Sequence, residues 1–254
     1  MAQIKANEAL VKALQTWNID HLYGIPGDSV DAVVDSLRTV RDQFKFYHVR
    51  HEEVASLAAA SYTKMTGKIG VALSIGGPGI VHLLNGMYDA KMDNVPQLII
   101  AGQTNSTLLG TKFFQETNIS KMVDDVAVYH HQIQKGDNVF EITNEAIRTA
   151  YEKKGVSVII CPNDLLTQKI KDTTNRAVDT TKPKPASPKF KSIKKAAKLI
   201  DKAKKPVMLI GLGTQHAKDE LREFIEAAKI PVIHTLPAKT ILPDDYPYSI
   251  GNLG

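Results

Sequence analysis

The 254-residue chain has only one cysteine, and it lacks long apolar runs and a start that resembles a signal peptide. Each of these features would have indicated a class of protein directly. Its one cysteine, Cys161, lies in the run VSVIICP, which excludes an intrachain disulfide and predicts a buried strand thiol without a catalytic role. No apolar run reaches the roughly 20 residues that cross a bilayer. The opening MAQIKANEAL lacks the apolar stretch of a signal peptide. We therefore expect a cytoplasmic protein.

The formal net charge of +5 would favour a nucleic-acid partner if the basic residues formed one stripe. Many of them instead lie between Lys169 and Lys205, where Pro183, Pro185 and Pro188 also occur. This composition is typical of a solvated linker that leads into an amphipathic helix. No nucleic-acid motif accompanies it, so we expect no nucleic-acid partner.

Up to about Cys161, helical periodicity alternates with short β-rich runs, which predicts an α/β domain with a parallel sheet flanked by helices. Predicted strands contain HLYGIP, FKFYHV, VALSI, PQLIIAG, HHQIQ and VSVIICP, and predicted helices cover 6–17, 52–65, 80–92 and 141–153. A further helix is expected to begin at Asp28 or Ser29, either of which can cap free amide groups.

A second α/β segment begins after the linker. Ile193, Ala196, Ala197 and Ile200 have helical spacing, and the strand-like PVMLIGLG, a helix near Leu221 and the strand-like PVIHTL follow. One helix between two strands covers too little of a sheet, so we expect an incomplete Rossmann-like central domain. The predicted organisation is a first domain over 1–172, a linker over 173–190 and a second domain over 191–254.

Glu52 and Glu53 directly follow a predicted strand in RHEEVASLAAA. Carboxylates in a first helical turn interact favourably with the helix dipole, so the pair needs no function to explain it. However, open parallel sheets bind ligands at the carboxyl ends of their strands. Glu52 is therefore a candidate ligand-binding carboxylate. Glu53 is turned about 100° around the helix and is expected to be solvated.

Two other segments follow predicted strands. Gly76, Gly77, Pro78 and Gly79 allow a ligand to approach the backbone closely, although a plain turn explains them equally well. The phosphate-loop pattern GxxxxGK[ST] is absent, so nucleotide hydrolysis has no support. The motif FFQET lies in a stretch of about 20 residues without clear periodicity, which is typical either of a functional loop or of a loop anchored by its aromatic residues.

The remaining motifs are weak. The sequence GLG at 211–213 lacks the third glycine of the dinucleotide fingerprint. His130 and His131 are adjacent in a predicted strand and point to opposite faces, so they cannot form a metal pair by themselves. We assign no metal ligands in this chain.

Five motifs, taken in order, carry a resemblance to a known family. They are YGIPGDS at 23–29, RHEE at 50–53, GGPG at 76–79, HLLNGMYDA at 82–90 and FFQE at 113–116. The ordered set resembles the amino-terminal part of flavin-dependent pyruvate oxidases, which are members of the thiamine-diphosphate enzyme family. The resemblance covers essentially the whole chain.

In the first domain the resemblance implies roles for six residues. Glu52 would hydrogen-bond a ring nitrogen of the cofactor's aminopyrimidine and so activate thiamine diphosphate. Phe114 and Gln115 would face the reacting centre as further catalytic residues. The positions that would line the pyrimidine pocket are Gly27, Pro78 and His82.

In the second domain the resemblance implies a site for FAD. Gly211 and Gly213 would approach the dinucleotide closely, and Thr235, Leu236 and Lys239 would border it. The resemblance implies decarboxylation of a 2-oxo acid, with pyruvate as the substrate, and transfer of the electrons to FAD and then to quinone or oxygen.

One departure from the family concerns the third domain, in which a GDG motif and a downstream Asn hold magnesium and the cofactor diphosphate. No GDG occurs here. The family's active site forms between two chains, so the resemblance implies a homo-oligomer, and this chain alone is expected to be inactive. Membrane contact, as a peripheral protein at the inner face, is expected only through regions absent here.

Two alternatives remain open. The first is an acetolactate synthase or another relative that decarboxylates 2-oxo acids, because these enzymes share the scaffold. The second, of a different class, is a non-catalytic assembly fragment, because the diphosphate domain is missing.

Overall fold

The structure is a computed structural model that describes residues 2–183 and 186–253. The chain divides into two compact units, Met1–Lys184 and Pro185–Gly254. The division falls inside the segment predicted as a linker, 173–190. Two residues of that segment, Lys184 and Pro185, lie outside the described residues.

The first unit consists of short strands and helices that alternate along the chain. The strands are β1 (Gln3–Lys5), β2 (His21–Gly24), β3 (Lys45–His48), β4 (Gly70–Ser74), β5 (Gln97–Gln103), β6 (Ala127–Gln132), β7 (Val156–Pro162) and β8 (Lys169–Lys171). The helices are α1 (Ala6–Thr16), α2 (Asp31–Thr39), α3 (Glu52–Thr66), α4 (Pro78–Met92), α5 (Ile119–Val123), α6 (Val139–Lys153) and α7 (Asn163–Leu166).

Six of these strands form one sheet in the order β3-β2-β4-β5-β7-β6, and every neighbouring pair is parallel. The central strands β4, β5 and β7 are buried along their whole length. Runs such as VSVIICP are apolar apart from the buried Ser157, because helices cover both faces of such strands. Cys161 is fully buried in β7, as predicted, and this burial raises the pKa of its thiol.

Helices pack on both faces of the sheet. One apolar core joins α1, α2 and α6 to Val71 and Leu73 of β4, and the other joins α3, α4 and α5 to Ala72 of the same strand. Side chains alternate between the two faces because successive residues of a strand point in opposite directions.

Helices α3 and α4 approach each other closely at Gly86. A β-carbon at this position would lie 2.1 Å from Ser56 Oγ and 2.5 Å from the backbone nitrogen of Leu57. The Ser56 hydroxyl also donates a hydrogen bond of 2.8 Å to the carbonyl oxygen of Leu83. The small residues Ser56 and Gly86 thus let α3 and α4 lie side by side.

Two local features differ from the sequence prediction. The expected cap by Asp28 or Ser29 is wrong, since α2 begins at Asp31 without a side-chain cap. The Ser29 hydroxyl instead accepts a hydrogen bond of 3.0 Å from the backbone nitrogen of Gly76.

The antiparallel pair of β1 and β8 was not predicted, because strands of three residues carry no measurable periodicity.

The second unit contains α8 (Phe190–Lys202), β9 (Met208–Ile210), α9 (Lys218–Ala228), β10 (Val232–Thr235) and β11 (Ser249–Leu253). The strands form a parallel sheet in the order β11-β10-β9. A small core forms around Ile210, Ile225 and Val232. The sequence did not predict β11, whose residues SIGNL lack a strand-like pattern.

The predicted fold class is confirmed, with a parallel six-stranded sheet between helices followed by a further sheet. In residues 2–183 and 186–253, no helix is both long and apolar enough to cross a membrane.

Candidate functional site

The topology of the first unit predicts a ligand-binding crevice at the carboxyl edge of its parallel sheet. Strands β2 and β4 are neighbours, but α2, which follows β2, packs on one face and α4, which follows β4, packs on the other. The loops therefore diverge above these two strands, and open α/β sheets bind ligands at such points. Gly27 lies in the loop after β2, where a β-carbon would come 2.6 Å from Cγ2 of Ile75.

The GGPG turn lies on the other side of this crevice. Gly77 has φ of 61° and ψ of −118°, a backbone conformation that residues other than glycine rarely adopt. A β-carbon on Gly77 would also lie 2.7 Å from the carbonyl oxygen of Gln115. Pro78 then begins α4 as its first residue. Gly77 is required by the turn itself, and it brings the Gln115 loop against α4.

Gln115 has a left-handed backbone, with φ of 62°. This conformation is uncommon outside glycine and occurs often at functional sites. The neighbouring carboxylate of Glu116 holds the loop by accepting hydrogen bonds from the backbone nitrogens of Gly110 at 2.5 Å and Phe113 at 3.2 Å. These bonds, the one from Gly110 first, lower the pKa of Glu116. Phe114 is 77% exposed.

Glu52 begins α3 and is close to the first turn of α4. Its Oε2 atom lies 2.9 Å from Nδ1 of His82, and its side chain is only 12% exposed, against 42% for His82. The ring of His51 stacks on that of His82, with centroids 4.4 Å apart and an angle of 30° between the planes. Glu52 is thus partly shielded from water by two imidazole rings.

Glu53 differs from its neighbour. Its carboxylate accepts a hydrogen bond from the Asn85 side chain and lies 3.6 Å from Nδ1 of His51. The Glu53 side chain is 37% exposed, and α4 also supplies it with a partner that the sequence did not reveal. His82 and Asn85 are three residues apart and share one face of α4. That spacing shows in the sequence that the two residues share a face, but it does not show which helix lies opposite.

The sites predicted in the second unit lie at the carboxyl ends of its strands. Gly211 directly follows β9, and Gly213 lies in a 3₁₀ turn next to it. Thr235 ends β10, and its Oγ1 would lie 3.9 Å from a β-carbon on Gly211. Leu236 is exposed, and Lys239 forms a surface ion pair of 3.8 Å with Asp244.

The structure therefore brings the predicted residues of the first unit to one edge of the sheet. Two direct contacts are present, Glu52 with His82 and Gly77 with Gln115. His51, Asn85 and Ser29 were given no site role from the sequence, and each contacts a residue of this edge.

Comparison with known proteins decides the family. Residues 4–122 match the family described as thiamine pyrophosphate enzyme, N-terminal TPP binding domain, and residues 193–254 match thiamine pyrophosphate enzyme, central domain. Thiamine pyrophosphate is the same compound as thiamine diphosphate. The chain belongs to the thiamine pyrophosphate enzyme family. Glu52 lies in the part of the chain that matches the domain named for cofactor binding. Gly211 lies in the part that matches the central domain.

Three relatives within the thiamine pyrophosphate enzyme family align with nearly the whole chain. YdaP of Bacillus subtilis (strain 168), provisionally named as a thiamine pyrophosphate-containing protein, is 47% identical over 254 residues, 100% of this chain and 44% of the relative. A pyruvate oxidase of Lactiplantibacillus plantarum is 39% identical over 98% of this chain and 42% of its own length. An acetolactate synthase of Mycobacterium leprae is 33% identical over 99% of this chain and 41% of its own length. The chain thus spans about two fifths of the length of these relatives.

Proposed function

We propose that this chain is part of a pyruvate oxidase, which decarboxylates pyruvate with thiamine diphosphate and passes the electrons to FAD and then to quinone or oxygen. The observation that carries the proposal is the Glu52 carboxylate, which is shielded from water and contacts His82 at the carboxyl edge of the sheet. The choice of oxidase is supported by 39% identity to a pyruvate oxidase, against 33% to an acetolactate synthase.

The residues around Glu52 fit the pyrimidine half of the cofactor. An aminopyrimidine needs a polar partner for its ring nitrogen and a backbone that its flat face can approach. Glu52 offers the first, and Gly27, Pro78 and His82 surround the same edge of the sheet. When bound, thiamine diphosphate supplies a nucleophilic carbon and an electron sink for the loss of carbon dioxide.

Three side chains of this chain would then act on the bound molecules. Glu52 holds a hydrogen bond to the ring nitrogen, and its small exposure strengthens that bond because water competes less. Gln115 can donate from its amide to a carboxylate or carbonyl of the substrate. We assign Phe114 to the apolar wall that excludes water from the substrate.

The second unit fits a dinucleotide at the carboxyl ends of β9 and β10. Apart from its two chain neighbours, no described residue has a heavy atom within 4 Å of a β-carbon placed on Gly213, so packing among residues 2–183 and 186–253 does not require glycine there. The space beside it can admit a phosphate-bearing ligand close to the backbone. We propose that Gly211, Gly213, Thr235, Leu236 and Lys239 contact FAD.

The proposal includes an assembly. The family's GDG motif, which would hold magnesium and the diphosphate, does not occur in this sequence. We infer that a homo-oligomer completes each site between chains, that the 254-residue chain is inactive alone, and that no nucleic acid takes part.

The test uses the complete polypeptide that carries this chain. Incubation with pyruvate, thiamine diphosphate, magnesium and an artificial two-electron acceptor is expected to release one carbon dioxide for each molecule of acceptor reduced. Acetolactate formed without reduction of the acceptor would instead support the second candidate, an acetolactate synthase, which the relatives at 33% identity favour. The absence of any thiamine-dependent turnover would support a non-catalytic role.

A further inference from the structure

We propose that His51, Glu52 and His82 form a zinc-binding site that competes with the cofactor for Glu52. The competition rests on the proposed function, whereas the zinc site does not. One ligand atom from each of the three side chains lies within 4.8 Å of the others. Two imidazoles and a carboxylate are typical of zinc sites and are a poor set for magnesium, which prefers oxygen ligands.

The spacing of two of these atoms already suits a metal ion. Zinc bonds of about 2.0–2.1 Å in a tetrahedron place neighbouring ligand atoms about 3.3 Å apart. Nδ1 of His82 and Oε2 of Glu52 are separated by 2.9 Å, so a shift of a few tenths of an ångström would admit the ion between them. The hydrogen bond that now joins these atoms would be replaced by two bonds to the metal.

His51 lies near a second carboxylate. Its Nδ1 lies 3.6 Å from Oε2 of Glu53, and the other oxygen of Glu53 accepts a hydrogen bond from Asn85. Histidine ligands of zinc commonly donate their second ring nitrogen to a carboxylate. This arrangement leaves Nε2 of His51 for the ion. Stacking on His82 holds the ring on the same side of the cluster.

Exposure and charge also favour an incoming cation. The side chains of His51 and His82 are 47% and 42% exposed, so the site can be reached from solvent. Glu52 and Glu53 bring two negative charges to a site whose imidazoles are neutral when they bind metal. Three protein ligands leave a fourth position of the tetrahedron for water. Zinc bound in this way occupies the oxygen of Glu52 that the cofactor would use.

Calorimetric titration of zinc chloride into the 254-residue chain, without cofactor, tests the site. We expect one ion to bind with a dissociation constant below about 100 μM. His51→Ala, His82→Ala and Glu52→Gln are each expected to weaken binding at least about tenfold, and Glu53→Gln is expected to weaken it by a similar factor through His51. His216→Ala, at an exposed histidine in the second unit, should bind zinc as the unaltered chain does.

Circular dichroism of each variant shows whether it is folded before its affinity is compared. Zinc affinity that is unchanged by His51→Ala and His82→Ala, or absent from the folded chain, would overturn the site. In the complete polypeptide, zinc is expected to raise the thiamine diphosphate concentration needed for half-maximal turnover. Zinc binding that requires all three residues but leaves cofactor saturation unchanged would support the metal site and contradict the cofactor role of Glu52.

Discussion

Two adjacent glutamates of one helical turn have different surroundings. Glu52 is 12% exposed and contacts His82, whereas Glu53 is 37% exposed and is held by Asn85. Sequence reasoning distinguished them by their angle on the helix and correctly placed Glu52 at the end of a strand. It could not supply the partners of either residue, because these lie on α4, about 30 residues further along the chain.

Glu52→Gln tests this distinction. In the complete polypeptide we expect turnover to fall by roughly 10²–10⁴-fold, because an amide cannot take the carboxylate's part in activating the aminopyrimidine. The measurement is steady-state pyruvate decarboxylation at saturating cofactor. Glu8→Gln, also at a first-turn helix glutamate but exposed, is the matched control and should retain normal turnover. Equal rates for the two variants would reduce Glu52 to a residue that stabilises a helix start.

Tyr129 offers a pH test of packing at the edge strand β6. Burial, with smaller effects of Glu145 and Asp137, raises the pKa of Tyr129 from 10.0 to about 12. Because the folded state favours the protonated hydroxyl, the stabilisation linked to Tyr129 is complete below pH 10. It is lost as the pH rises from 10 to about 12. Denaturant unfolding of Tyr129→Phe should therefore lose less stability across this range than the unaltered chain. An identical pH dependence in both proteins would contradict the partial burial of Tyr129.

Among helices, the contact between α3 and α4 determines the geometry of the site. Glu52 is the first residue of α3 and His82 is the fifth residue of α4, and Gly86 allows the two helices to approach. The sequence predicted a helix over 52–65 from its alanine-rich stretch and a helix over 80–92 after the GGPG turn, and in the structure Gly67 ends α3 with φ of 67°. The close contact was not predictable, because an isolated glycine in a helix does not reveal which backbone lies opposite it.

Gly86→Ala is expected to destabilise the first unit. The added β-carbon would meet the backbone of Ser56 and Leu57 at about 2.5 Å, so the helices must separate. Overpacking of this kind costs about 1–3 kcal/mol, measured as a lower free energy of unfolding. Gly213→Ala adds the same methyl group where, among the described residues beyond its chain neighbours, no heavy atom lies within 4 Å, and it should leave the free energy of unfolding nearly unchanged. Similar losses in both variants would contradict the α3–α4 contact.

Gly213→Ala has a second expected effect. In the complete polypeptide it should weaken FAD binding by about tenfold, because the methyl group would occupy the space proposed for the ligand. Flavin retained after gel filtration gives the measurement. Normal flavin content, with unchanged stability, would show that the dinucleotide does not approach this turn.

For the whole molecule, the sequence predicted the alternating α/β pattern, the parallel sheet and two α/β segments. Buried strands such as β5 and β7 were recognisable because both of their faces are covered and their residues are almost all apolar. The β1–β8 pair and β11 were missed, because short or polar strands depend on partners distant in the chain. Motif order indicated the family, and the comparisons with known proteins then supplied it independently.

Anaerobic mixing of the complete polypeptide with pyruvate is the most direct test of the central claim. With thiamine diphosphate and magnesium present, the account predicts that the absorbance of bound FAD bleaches as two electrons arrive from pyruvate. Omitting thiamine diphosphate should prevent the bleaching. A protein that binds no flavin, or whose flavin stays oxidised while pyruvate is consumed, would contradict the assignment as a pyruvate oxidase.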